Sequence, residues 1–415
     1  MVDVSFAGLA IVAAVAFAAP LLLGLAPALR VPAIVLELVA GIAIGPSGLG
    51  WVEVDAAIQV LSVLGLAFLL FLAGLEVEFD LLRGRLLQVA GSAFLASFGL
   101  ALAVGYALSA AGLVRAPFLI AVILGATALG IVVPVVKDAG LASSEFGQLV
   151  IAAASIADVA TIVFLSLFFS SEESGIGVRI VLFGGFALLV ATVGLAVLAA
   201  EHLGRLSAAL LRLQHTTAQI RVRGAFLLLA VFALLAERLG LEAILGAFMA
   251  GAVLKLVDHD ETLTHPQFRQ KLEAAGYGVF VPFFFVASGL RFDLDALFAS
   301  ASSVARAPLF LAALLVVRGL PALLYRPIVG GAGAAAAGLL QATSLGFIVV
   351  GVQLGIELAL IGKATGAALI GAGLLSVVLF PLGALALLRR EGAGVPATGP
   401  AEADHELGRR RRRPR

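Results

Sequence analysis

GATALGIVV, residues 125–133, returns as QATSLGFIVV at 341–350, with Thr127 matching Thr343 and Gly130 matching Gly346. One such echo in a chain with 47 glycines could be chance. Two more follow in the same order. FLAGLEVEFDLL at 71–82 returns as VASGLRFDLDAL at 286–297, placing Gly74 on Gly289. LVAGIAIG at 38–45 returns more faintly as FMAGAVLK at 248–255, placing Gly41 on Gly251. The matched residues stand 210–216 positions apart, which is the mark of an internal repeat.

The surrounding chain is a membrane protein by composition. It is 62% hydrophobic and 13% charged, with a mean hydropathy of +1.14, whereas soluble domains carry about one quarter charged residues. Apolar runs of bilayer-spanning length give thirteen expected spans: 4–28, 31–49, 57–75, 87–112, 116–136, 146–170, 176–200, 217–236, 240–256, 274–290, 304–325, 331–355 and 359–388. The first run ends near AFAAP, but MVDV holds an acid and no base, so it reads as a retained helix rather than a cleaved signal. There is no cysteine, which excludes disulfides and thiolate chemistry. The pattern asks for no cofactor and does not read as an enzyme.

In span numbers the repeat pairs two with nine, three with ten and five with twelve. An odd offset makes the halves enter the membrane in opposite directions, the inverted repeat of secondary transporters. The expected organisation is an all-α membrane domain over 1–390. Repeat one covers about 1–170, a linker helix 176–200 and a basic segment 201–223 follow, and repeat two covers about 217–388. The Gly/Pro/Ala/Glu-rich 391–408 and the RRRRRPR end make 391–415 a disordered basic tail suited to anionic lipid. Thr127 and Thr343, each followed by small residues and Gly, predict two broken helices that cross at mid-membrane. The plainer alternative for either Thr alone is a hydroxyl bonded back to its own helix.

Asp158 is the residue that points to function. It lies in QLVIAAASIADVATIVFLSLFF, residues 148–169, with no opposite charge within eleven residues. A carboxylate at a membrane helix centre costs roughly 2.5–3.5 kcal/mol on insertion scales, and such acids mark ion and proton pathways. Lys and Arg gather on alternate loops and on the tail, which places the N-terminus outside and the C-terminus inside the cytoplasmic membrane.

The sequence resembles the membrane domain of the Kef-type, monovalent cation:proton antiporter-2 family from about residue 31 to 388. The resemblance rests on ELVAGIAIGPSGLG (37–50), LGLAFLLFLAGLE (64–76), ATALGIVVPVVKDAG (126–140), SIADV (155–159), LGAFMAGAVLK (245–255) and PFFFVASGLRFDL (282–294). It implies a thirteen-helix homodimer with a dimerisation domain and a mobile core, and it implies that Asp158 binds cation and proton. One departure stands out. The family often has two polar residues side by side at this point, and here position 157 is alanine.

Several other residues bear on the site. Arg318 lies near the middle of LFLAALLVVRGLPALLY, and the resemblance implies a basic residue near the carboxylate there; the alternative is an Arg that snorkels to the surface. Thr127 and Ser155 are the expected neutral cation ligands, Ser155 sharing a helix face with Asp158. Glu37 either lines an inner funnel or steadies the interface near Arg30. Glu76, Glu78 and Asp80 read as loop partners of Arg83 and Arg85, and Glu237 and Glu242 as solvated. Asp258, His259, Asp260, Glu261 and His265 show no convergent metal spacing. His202 and His215 are loop histidines that could sense pH. Nucleic-acid binding is not supported. No nucleotide-binding domain follows the spans, though a separate regulatory subunit could supply one.

The expected function is exchange of Na⁺ or K⁺ for H⁺ by alternating access. With Ala157 and an arginine that cannot release its proton, Asp158 alone carries protons, which predicts electroneutral exchange. A sodium-coupled organic-anion symporter of related fold would need further polar ligands, for which only Gln341 and Gln353 qualify. A cation channel would line a pore with rings of acids or carbonyls.

Overall fold

A computed structural model describes residues 5–25, 31–77, 84–169, 176–201, 219–257 and 266–390. Glu78, Asp80, the 258–265 cluster, His202, His215 and the 391–415 tail lie outside the described residues. All regular structure among the described residues is helical, and eight segments are long and apolar enough to cross a membrane.

The helices, renumbered in chain order, are α1 (Phe6–Leu25), α2 (Ala33–Ile44), α3 (Ala56–Glu76), α4 (Gly84–Ala110), α5 (Pro117–Gly125), α6 (Leu129–Asp138), α7 (Glu145–Phe168) and α8 (Ile176–Glu201). There follow α9 (Ile220–Arg238), α10 (Ala243–Val257), α11 (Pro266–Ala275), α12 (Val281–Leu290), α13 (Leu294–Phe298), α14 (Ala301–Leu314), α15 (Arg326–Ala342), α16 (Gly346–Glu357) and α17 (Lys363–Arg390). Taking α5–α6, α11–α12 and α15–α16 each as one span, every expected span meets a helix. The tenth span begins earlier than expected, because Pro266 opens a polar turn in which Arg269 and Glu273 pair at 2.7 Å. A π-helical turn, Gly276–Phe280, joins it to α12.

Two bundles result. Helices α1–α3 and α9–α12 pack into a scaffold, while α4–α7 and α14–α17 pack into a core. The scaffold is locked by backbone contacts through glycine. A Cβ on Gly41 would overlap the Val286 carbonyl and crowd Gly289, and one on Gly289 would overlap the Leu38 carbonyl. The same contact recurs at Gly74 and Gly251, against the carbonyls of Phe248 and Phe71. Gly41 matches Gly251 in the repeat and Gly74 matches Gly289. The two crossings, α2 on α12 and α10 on α3, are therefore one contact made twice across a pseudo-two-fold axis.

In the core, both expected breaks are present. The chain is extended at Ala126 and at Thr343, where the first helical halves end. The breaks cross and touch through one backbone bond, from the Ala128 N–H to the Thr343 carbonyl, at 2.8 Å.

Candidate functional site at the helix crossing

Each break leaves the C-terminal carbonyls of one half-helix and the N-terminal amides of the next facing the crossing. The two charged groups sort accordingly. Arg318 serves the carbonyl side. It sits in a π-helical turn, Leu315–Gly319, whose extra residue carries it inward from α14, ahead of a Pro321-containing 3₁₀ stretch. Its Nε and Nη2 donate to Thr127 Oγ1 at 3.0 and 2.6 Å, and Nη2 donates to Gln341 Oε1 at 2.6 Å. Nη1 donates to Ser97 Oγ at 3.2 Å, and the guanidinium lies 6.0 Å from the Phe94 ring centroid.

Gln341 completes this clamp. Its Nε2 donates to the Val150 carbonyl at 2.8 Å, and its own carbonyl accepts from Thr127 Oγ1 at 2.8 Å. The clamp thus ties α4, α7, α14 and both breaks together. Neither Gln341 in this role nor Ser97 was apparent from the sequence. The two threonines also differ: Thr127 bonds across the crossing, whereas Thr343 Oγ1 donates back to the Leu339 carbonyl at 3.1 Å.

Asp158 occupies the amide side. It is 2% exposed, and the Leu129 N–H, first of α6, lies within interaction range of its carboxylate. Arg318 acts on it electrostatically, but no contact within ion-pair distance joins the two among the described residues. The Thr127 hydroxyl is already engaged by Arg318 and Gln341.

The oxygens left open are elsewhere. Asp158 Oδ1, Ser155 Oγ and Glu76 Oε2 are buried and have no hydrogen-bond partner among the described residues. Ser155 stands one turn before Asp158 on α7. Glu76 ends α3 and is close enough to act on the Asp158 charge; its Oε1 accepts from Tyr277 at 3.4 Å. Among the described residues Glu76 makes no ion pair with Arg85; Arg83, its other expected partner, lies outside them. Glu37 is 4% exposed inside the scaffold, and its Oε2 has no hydrogen-bond partner among the described residues. No group of three or more metal-ligating side chains occurs among the described residues.

A helical core with crossing breaks over a buried acid is what known transporters can be compared with. The family model described as sodium/hydrogen exchanger, transmembrane, matches residues 13–390. The chain belongs to this family. Among the exchangers' relatives, YjbQ of Bacillus subtilis is 32% identical over 412 residues, which cover 94% of this chain and 64% of YjbQ. The chain thus spans less than two thirds of that relative's length. The Na(+)/H(+)-K(+) antiporter GerN of Bacillus cereus is 29% identical over 280 residues, covering 64% of this chain and 66% of GerN. The fold matches that of the sodium proton antiporter MjNhaP1 from Methanocaldococcus jannaschii with a TM-score of 0.61 at 18% identity, over 92% of this chain and 97% of that one.

Proposed function

We propose that this exchanger-family chain carries out antiport of a monovalent cation, Na⁺ or K⁺, against H⁺, with Asp158 holding cation and proton in turn. The observation that carries the reading is the trio of buried, unpartnered oxygens on Asp158, Ser155 and Glu76. A buried polar atom without a partner costs about 1–3 kcal/mol, so three together argue for a ligand that comes and goes. Thr127, bonded to the clamp, positions the crossing. Arg318 balances the half-helix carbonyls and acts on Asp158 from a distance. The Kef-type branch, the homodimer, the outward N-terminus, a lipid partner for the tail and a separate regulatory subunit belong to the same proposal, on the sequence grounds given above.

Asp158→Asn should leave the folded protein intact and abolish cation-dependent proton flux in everted vesicles, because an amide neither carries a proton nor balances a bound cation. Retained flux on adding Na⁺, K⁺ or Li⁺ would refute this role. A symporter or a channel should give no proton response in the wild type. Stoichiometry follows from which acids travel. Asp158 is on the core and Glu76 on the scaffold, so a moving core carries one buried acid, with Arg318 fixed in charge. The exchange is then one-for-one, and its rate in proteoliposomes should not respond to an imposed potassium-valinomycin voltage with Na⁺ as substrate.

A further inference from the structure

The two entrances to the crossing are built from repeat-related residues of opposite charge. One face carries the turn 138–145 and the end of α17, whose Leu388 shares a buried cluster with Val136 and Phe146; at the other end of α17, Lys363 meets Asp293 at 3.6 Å beside the turns 291–300 and 358–362. At the first, α3 ends in Gly74-Leu75-Glu76. At the second, α12 ends in Gly289-Leu290 with Arg291 as its cap. Both glycines sit in the paired scaffold crossings, so Glu76 and Arg291 hold equivalent places. Each lies within electrostatic range of a core charge of opposite sign carried by the second half of a broken helix. Glu76 feels Arg269 of α11 first and then Lys137 of α6, and Arg291 feels Glu357 at the end of α16. Arg291 also donates to Gln59 Oε1 on α3. Glu242, in the turn before α10, interacts with Glu357 as well.

We propose that Arg291 weakens cation binding when the site opens to its face, and so favours cation release on that side. The inference rests on the exchange function proposed above. Access in inverted-repeat transporters alternates as one bundle moves against the other around the site, which brings the core to one scaffold turn and then to its repeat-related counterpart. The scaffold group nearest Asp158 is then Glu76 in one state and Arg291 in the other. A carboxylate there adds to the attraction for a bound cation; a guanidinium, charged at every accessible pH, opposes it. The sequence carries this difference in two letters, GLE against GLR, at matched positions 76 and 291.

The test is the half-saturating Na⁺ concentration of reconstituted protein, measured separately from each face. The chain has no cysteine, so a single Cys added after Arg415 reports orientation through an impermeant maleimide. Wild type should need more Na⁺ from the Arg291 face. Arg291→Gln should lower that value roughly three- to tenfold, the scale of one charge several ångströms away at intermediate dielectric, and leave the other face within about twofold. Arg291→Lys should keep the wild-type value. Should Arg291→Gln not accumulate, Glu357→Gln, which strips Arg291 of its counter-charge, should raise the value on the same face. An equal shift on both faces, or none, overturns the assignment to Arg291 while leaving exchange standing. A wild type that exchanges no Na⁺ for H⁺ overturns both.

Discussion

Helices from the two repeats cross in both bundles, and they are held in opposite ways. In the scaffold, α2 meets α12 and α10 meets α3 through glycine, backbone against backbone. In the core, the broken helices meet through a backbone bond and the Arg318–Gln341–Thr127 clamp. Lipid gives no hydrophobic drive for helices to associate, so close contact of small residues supplies the packing. That arrangement tolerates no side chain and offers an ion nothing. The core crossing uses polar bonds, and beside it lie oxygens that those bonds leave open. Rigidity and the proposed ion binding are thus assigned to different crossings.

The sharpest way to break this contrast is at Gly251. Gly251→Val would drive a side chain into the Phe71 carbonyl, and the chain should fail to yield a monodisperse, folded species on size-exclusion chromatography in detergent. Gly184→Val on α8, where a Cβ meets nothing within 4 Å, should behave as wild type; equal tolerance at the two positions would remove the argument for a glycine lock.

A smaller loss is expected in the core. Gln341→Leu deprives Arg318 of an acceptor at 2.6 Å and the Val150 carbonyl of a donor at 2.8 Å, which should cost about 1–3 kcal/mol in a detergent melt. Gln341→Glu keeps an acceptor for Arg318 and should recover part of the loss. If Gln341→Leu melts like wild type, the clamp does not hold the crossing.

The mildest change lies outside both crossings. Asp55 caps α3, accepting from the Ile58 and Ser5 N–H groups at 2.8 Å each. Those bonds, Ile58 first, hold its carboxyl below the usual range. Because the folded value is the lower one, the stabilisation is present above pH ~3.9, the unfolded value, and is lost as pH falls through the folded value. Asp55→Ala should cost about 0.5–2 kcal/mol, and its melting curve should converge with that of the wild type in acid.

Much of this was legible in the sequence, for a physical reason: breaks in membrane helices need particular residues. Thr127, Thr343 and the small residues after them declared both breaks, and the lone Asp158 marked the candidate site. Glu76 was not legible as part of it. An acid that ends an apolar run beside Glu78, Asp80 and Arg83 looks solvated in one dimension, and only the approach of α3 to the core brings it to Asp158. The glycines show a different limit. A repeat match pairs Gly41 with Gly251 and Gly74 with Gly289, yet the residues that touch are Gly41 with Gly289 and Gly74 with Gly251. Equivalence can be read from a string, whereas contact requires the fold.

The bond from Ala128 to Thr343 has a consequence for ion choice. It joins the two broken spans backbone to backbone, so neither can slide without the other. The polar lining that the core presents to an ion keeps its size and shape whichever face it meets. The core's share in discrimination by ionic radius, set by Asp158 and Ser155, should then be identical from both sides of the membrane, and any difference between the sides falls to the scaffold, where Glu76 stands at one entrance and Arg291 at the other.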